Sequence, residues 1–406
     1  MKINILILLI SLVSFSITAQ TTYYVKATGG NDSNAGTSWS TAFATLQSAL
    51  DNAVSGDKIW VAKGTYTPSK IAGDIPGIDN RDKTFLIGSG ISVYGGFAGT
   101  EIEGYDLSLR DLAINQTILS GSLDGKTTNK AYHTVIIIGI KAAVTLDGVS
   151  VTAGNANGTA GTSIMIGGKT IPKVYAGGIY AISSGANVYL TNNKVYDNLS
   201  TSWGGGVFAI TSSVKGSMNI IKNIFHNNTS ITLGGGIYTQ SVVSTKTYIA
   251  NNVFYSNTAS TNGAAIYLNA AGSMYFVNNT VTKSTGTAIY CYTPAATGVI
   301  NIANSIVYGN TNSTIASNSG NLGSLAVSYS LVTGGYVSGT NIISSDPLFA
   351  DAANFNFKLS SASPALNVGN NSVYDLTLNG STDLIGNARI YKTIIDLGAF
   401  EYKDGI

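Results

Sequence analysis

Residues that commonly carry chemistry are scarce in this chain, and where they fall limits what it can do. Charged side chains make up 10% of the 406 residues, against roughly 25% in an average globular domain. Hydrolysis of a glycosidic bond needs two facing carboxylates, and eliminative cleavage of an acidic polysaccharide needs carboxylates around calcium beside an Arg or Lys base. Between Gly125 and Ser345 only Asp147 and Asp197 are acidic, and there is no arginine. Those two acids occupy unrelated positions, so the centre of the chain offers no catalytic pair. A loop-built site would have to draw on Asp74, Asp79, Arg81, Asp82, Glu101, Glu103, Asp106, Arg110 or Asp111. His133 and His226 are far apart and neither is paired with a nucleophile. His226 reads as a solvated surface residue. Cys291, the single cysteine, reads as a core thiol and excludes an intramolecular disulfide or a multi-cysteine zinc site. No metal and no cofactor is expected.

Binding chemistry is better represented. In the recurring Gly-rich segments, Ile179, Val207, Ile237, Ile266 and Ile289 are each followed by an aromatic: Tyr180, Phe208, Tyr238, Tyr267 and Tyr290. If the aliphatics face inward, the aromatics form one outward file, a flat apolar strip with hydroxyls suited to stacking on sugar rings. The same file would also stabilise a sheet by about 0.2–1 kcal/mol per neighbouring pair. A second outward file is Tyr196, His226, Tyr255 and Tyr308. Ten lysines lie in the central stretch against its two acids, which gives mild attraction to anionic glycans. The overall net charge of +2 gives no basis for nucleic-acid binding.

Stepping along the chain shows what must hold these files. The Gly-rich segment alternates with an Asn-rich one, such as Asn192-Asn193-Lys194-Val195-Tyr196 and Asn251-Asn252-Val253-Phe254-Tyr255, and equivalent positions 193, 223, 252, 279, 305 and 330 are 30, 29, 27, 26 and 25 apart. Each unit carries short alternating strands, for example Val188-Tyr189-Leu190 and Met218-Asn219-Ile220, whose outer members face in and whose middle member faces solvent. No unit contains an amphipathic helix. Strands alone at this period predict an all-β fold, a right-handed parallel β-helix, in which each residue sits roughly 4.8 Å above its copy. Like charges at that distance repel, which explains the charge-poor repeat. Asn193, Asn223, Asn252 and Asn279 should stack as an amide ladder.

The expected organisation is a signal peptide over 1–19, an N-terminal cap over 20–56, the β-helix over 57–345 and a C-terminal cap over 346–406. The leader has Lys2, an apolar run to about Ile17 and a cut after Ala19. No later stretch is apolar enough to span a membrane. In the N-terminal cap, Phe43, Leu46, Leu50 and Ala53 follow Ser40-Thr41 at helical spacing, predicting a short plug helix capped there, leading to a first strand at Lys58-Ile59-Trp60-Val61-Ala62. In the C-terminal cap, Asp383 and Arg389 are expected to pair.

These residues carry a resemblance. Tyr23-Tyr24-Val25, Gly30-Asn31-Asp32-Ser33-Asn34-Ala35-Gly36-Thr37 and Gly56-Asp57-Lys58-Ile59-Trp60-Val61 resemble the start of pectate-lyase-like right-handed β-helix proteins. Asp346-Pro347-Leu348-Phe349 and Asp396-Leu397-Gly398-Ala399-Phe400-Glu401-Tyr402 are similar to the bacterial choice-of-anchor Q region. The Phe225 to Asn228 and Phe254 to Asn257 segments resemble repeats of polymorphic outer-membrane adhesins. The resemblance implies an exported bacterial protein, extracellular or on the outer cell surface, with the periplasm as the other compartment. The expected function is non-catalytic, adhesin-like binding of a polysaccharide or another cell-surface ligand. The alternative is a polysaccharide lyase or glycoside hydrolase with a loop-built site.

Overall fold

The computed structural model describes residues 20–404 apart from 75–78, 126–127 and 313; the expected signal peptide lies outside the described residues. Within them the chain winds as a parallel β-helix. One rung runs through Ile179–Ser183, Val188–Thr191, Lys194–Tyr196 and Leu199–Ser200, and the next through Val207–Thr211, Ser217–Ile221, Ile224–His226 and Thr229–Ser230. Each strand pairs in parallel with its copy: Ile179 with Val207, Val188 with Met218, Lys194 with Ile224 and Leu199 with Thr229. The first column continues in register through Ile237, Ile266, Ile289 and Ile315.

Alternation within each strand builds the interior. Val188, Met218, Thr247, Met274 and Ile300 are fully buried, as are Leu190, Ile220, Ile249, Phe276 and Ile302 one step across the same strands. Asn219 departs from the rule that the middle residue faces solvent. It is buried, and its Nδ2 donates to the Val188 carbonyl and the Ser217 hydroxyl.

At the corner after each such strand, two adjacent asparagine columns divide the work. Asn192, Asn251, Asn278 and Asn304 adopt the left-handed backbone conformation, which asparagine tolerates better than most residues; Lys222 does the same in their column. The following residue turns inward. Nδ2 of Asn193 donates to Oδ1 of Asn223 at 3.1 Å, Asn223 to Asn252 at 3.0 Å, and Asn252 to Asn279 at 2.9 Å. A second ladder joins Asn198, Asn228 and Asn257 at 3.1 Å per step. These side chains satisfy backbone groups that the buried corner would otherwise leave without partners.

The N-terminal end is closed by the helix Leu46–Asn52. Its cap is Thr45, whose side chain accepts from the Ser48 N–H, rather than the expected Ser40-Thr41, because Phe43 is held by a bridge to Val25. Leu46, Ala49 and Leu50 are buried in the interior cluster. The β-helix also starts earlier than expected: Thr22–Val25 pairs with Lys58–Ala62 and forms part of the first rung.

The C-terminal segment is not an end plug. The interior cluster contains no residue beyond Ile342. Instead the chain after Ser345 runs back along the side of the coil. Asn304 Nδ2 donates to the Asn370 carbonyl, Asn278 Nδ2 to the Asp396 carbonyl and Asn251 Nδ2 to the Tyr374 hydroxyl, so the strap is tied to successive rungs. Its own fold is held by Arg389, which is fully buried and pairs with Glu401 at 2.8 Å, not with Asp383. Asp383 accepts instead from the backbone N–H groups of Ile385, Asn387 and Glu401. Among the described residues no helix is long and apolar enough to cross a membrane.

Candidate functional site

The aromatic file forms, but it is not open to solvent along its length. Ring centroids are 4.9 Å apart from Tyr180 to Phe208, 5.4 Å from Phe208 to Tyr238, 4.9 Å from Tyr238 to Tyr267 and 5.0 Å from Tyr267 to Tyr290. The expected flat strip is covered by a second layer. Trp203 lies 4.9 Å from Tyr238 in parallel, Tyr175 lies 5.2 Å from Phe208, and Leu233 continues the row from Trp203. Ile164, Ile166 and Ile171, from the hairpin Ser163–Ile166 and Lys169–Pro172, complete the cover. Tyr180, Phe208, Tyr238 and Tyr267 are therefore buried, and only Tyr290 keeps substantial exposure. Burial raises the hydroxyl pKa of Tyr180, Tyr238 and Tyr267 above the ordinary phenol value.

The second file differs as well. Tyr196, His226 and Tyr255 stack 4.9 and 4.8 Å apart with planes within 5°. Thr282 occupies the next position, separating Tyr255 from Tyr308. The strap covers Tyr255 with Phe355 at 5.0 Å. His226 is thus half-buried between two rings, and desolvation lowers its pKa to about 4, with nearby Lys194 acting in the same direction. Its expected role as a solvated surface residue is replaced by a stacked one. His133 is buried beside the Ala176 carbonyl, 2.9 Å from Nδ1, and burial lowers its pKa to about 4. Cys291 is buried, which raises its thiol pKa.

Most of the charged loop residues are engaged in holding loops, some their own turns and others distant segments. Asp74 accepts from the N–H groups of Gly167 and Gly168; Glu101 from Ala98, Gly99 and Thr100; Asp106 from Ser108; and Asp111 from Ala113 and Ile114. Asp82 pairs with Lys173 at 2.7 Å, and Asp79 accepts from the Tyr132 hydroxyl. Arg81 donates to the carbonyls of Lys130 and Asn155. Among the described residues no three His, Cys, Asp or Glu side chains gather as a metal site.

Two loop residues do reach cavities. Glu103 lines one of about 570 Å³ with Lys58, Tyr24, Trp60 and Tyr105 near the N-terminal rungs. Arg110 lines another of about 570 Å³, built where the 107–112 excursion and the 382–386 turn of the strap meet over the coil. Its lining includes the polar Tyr94, Asp147, Asn192 and Lys222 and the apolar Leu107, Leu112 and Leu384. This second cavity is the candidate site, because it brings together groups from both ends of the chain around the one central acid that is buried.

Its electrostatics are largely settled internally. Arg110 donates to Asp147 at 2.5 Å, to the Gly95 carbonyl and to the Leu107 carbonyl. Asp147 also accepts from Thr191 and Asn192. Lys222 is different: its Nζ donates to the Thr382 hydroxyl and forms no ion pair among the described residues. Burial lowers its pKa, an effect partly offset by Asp383 and Asp147. In the sequence Lys222 is one of ten lysines of the central stretch. The available signal was positional, since a lysine replaces asparagine in a left-handed corner column, where it is the less comfortable residue.

No known protein family and no curated protein matches the sequence. Among solved structures the chain is similar to pectate lyase Pel9A, with 15% identity and a TM-score of 0.50, covering 96% of this chain and 98% of that one. It is also similar to a rhamnogalacturonan lyase, with 13% identity and a TM-score of 0.35 over 77% and 68% of the two chains. A structure of XylC in complex with xylose gives 10% identity and a TM-score of 0.31 over 94% and 98%. The likeness to Pel9A shows the fold: a pectate-lyase-like parallel β-helix.

Proposed function

We propose that this is an exported, surface-associated β-helix that binds an acidic polysaccharide without cleaving it, in the cavity between the 107–112 excursion and the strap. The observation that carries this reading is the Lys222 ammonium, which donates to the Thr382 hydroxyl and makes no direct ion pair among the described residues, with Asp147 and Asp383 acting on it only from a distance. Arg110 is already paired, and Asp147 and Asp383 already accept several hydrogen bonds. The cavity therefore offers a sugar carboxylate an ammonium that no protein carboxylate contacts directly, with Thr382 and Asn192 among the lining and leucines to pack against a ring. Hydrolysis is disfavoured because neither carboxylate is left available as acid, base or nucleophile. The adhesin-like element of the reading is display of this site at the cell surface.

A second reading has one observation in its favour. The lowered pKa of Lys222 raises the fraction of neutral amine, which is the form needed to remove a proton next to a sugar carboxylate. The test uses a panel of acidic and neutral polysaccharides with the wild-type protein and Lys222→Met. The readouts are retention, ultraviolet absorbance of unsaturated products, and reducing ends. Retention of acidic polymers without product, lost in Lys222→Met, supports binding. Product formation abolished by Lys222→Met replaces it with elimination. Failure to retain any acidic polymer overturns the proposal.

A further inference from the structure

The cavity beside the N-terminal rungs is distinct from the Lys222 cavity, and Leu107 is the one residue that lines both. Its aromatic side follows from the register of the first strands. Tyr24 pairs with Trp60 in the next rung, and their rings meet edge to face at 5.6 Å. Trp60 stacks on Phe97 at 4.7 Å, and Phe97 meets Tyr105 of the excursion at 6.4 Å. A fixed aromatic wall thus borders a space of about 570 Å³, a volume typical of small-ligand pockets.

The polar groups of this cavity have no partners of their own. Lys58 and Glu103 both line it, yet neither forms an ion pair or a side-chain hydrogen bond among the described residues. Glu103 differs in this from Glu101, Asp106 and Asp111 on either side, which are held by backbone N–H groups. The Tyr24 hydroxyl is likewise without a hydrogen bond; burial, and then the charge of Glu103, raise its pKa, so it stays protonated. Trp60 is 6% exposed, and its indole N–H is buried without an acceptor. Buried donors are nearly always satisfied, so an orphan donor on a residue of the cavity wall points to an acceptor supplied from the cavity.

These groups describe a ligand. One cation and one anion leave the lining without net charge, so an acidic sugar is opposed by Glu103 and a cationic ligand by Lys58. A neutral sugar suits both. Each of its hydroxyls can donate and accept, so adjacent hydroxyls can donate to the Glu103 carboxylate and accept from Lys58 and Tyr24. Its C–H faces pack on aromatic rings.

We propose that the N-terminal cavity is a second carbohydrate site, selective for a neutral sugar residue, with Glu103 and Lys58 holding adjacent hydroxyls against the wall of Trp60 and Tyr105. It differs from the Lys222 cavity in place and in charge preference, and it does not depend on binding there.

The test is isothermal titration with neutral oligosaccharides of glucose, mannose, galactose and xylose, with oligogalacturonate as the acidic probe and glycine as the zwitterionic one. At least one neutral oligosaccharide should bind and change tryptophan fluorescence, because Trp60 lines the cavity. Glu103→Ala and Lys58→Met should each weaken that binding about tenfold or more. Their urea midpoints should stay at the wild-type value, since neither side chain has a partner to lose. Lys222→Met should leave neutral-sugar binding unchanged, and Glu103→Ala should leave acidic-polymer retention unchanged, so failure of one site is told apart from failure of the other. Absence of binding to every neutral probe overturns the proposal. So does binding insensitive to Glu103→Ala and Lys58→Met, equal loss in Lys222→Met, or preference for oligogalacturonate or glycine.

Discussion

Replacing Asn252 by alanine tests the ladder on which the stacking register rests. Asn252 is fully buried, and its side chain makes four hydrogen bonds. Oδ1 accepts from the Asn223 backbone N–H at 2.8 Å and from Asn223 Nδ2 at 3.0 Å, while Nδ2 donates to the Ile220 carbonyl at 2.8 Å and to Asn279 Oδ1 at 2.9 Å. Two of these losses are softened. Asn223 Nδ2 keeps the Leu190 carbonyl, and Asn279 Oδ1 keeps the Asn252 backbone N–H. The Asn223 N–H is left buried without that acceptor, which costs about 1–3 kcal/mol. The other lost bonds and the small void add about 1–2 kcal/mol. The expected destabilisation is therefore about 2–5 kcal/mol, read as a lower urea midpoint by circular dichroism at unchanged slope. The protein supplies its own control. Further down the same column, Ser305 Oγ accepts the Asn279 N–H at 3.2 Å and Ser330 Oγ accepts the Ser305 N–H at 3.1 Å. Asn252→Ser keeps the acceptor and should lose only about 1–2 kcal/mol. If alanine changes stability by less than about 0.5 kcal/mol, or serine is as damaging as alanine, the ladder does not hold the corner as argued.

Two further outcomes follow from burial. Tyr238→Ala removes a ring packed on Phe208, Trp203 and Tyr267, so it should lower stability by about 3–5 kcal/mol and leave polysaccharide retention per folded molecule unchanged; loss of retention at unaltered stability would return the file to a binding role. His133 has a folded pKa of about 4, below its unfolded value of about 6.5. The stability this confers is fully present above pH 6.5 and disappears as pH falls towards 4, by about 3 kcal/mol, with a smaller share from half-exposed His226. Urea midpoints across that range should fall, and should fall less in His133→Asn; equal decline in both proteins would refute the assignment.

The repeats made the coil legible because stacking is a local rule. Once Asn193, Asn223, Asn252 and Asn279 recur at a steady step, register and inward columns follow from the alternation of each strand. What lies outside the coil obeys no such rule. Trp203 and Leu233 sit just before the Gly-rich motifs and form their own short row over the aromatic file, but an aromatic beside a glycine turn carries no sign of which way it folds. The strap follows the last rung in sequence, which suggests an end cap, whereas its contacts run along the side of the coil. Its docking asparagines, Asn251, Asn278 and Asn304, belong to a column already explained by backbone conformation. The candidate cavity was hidden for the same reason, since one wall comes from 107–112 and the other from 382–386, brought together only by that return path.

Solenoids usually fray from their ends, because each rung holds only its neighbours. Here the segment that leaves the last rung is fastened to earlier ones, from Asn304 back through Asn278 and Asn251 to Lys222. Peeling the terminal coils away would first require undoing contacts made far up the rod. Loss of the strap and opening of the middle rungs should thus occur as one event, making the C-terminal half a single cooperative block rather than a string of separately melting turns.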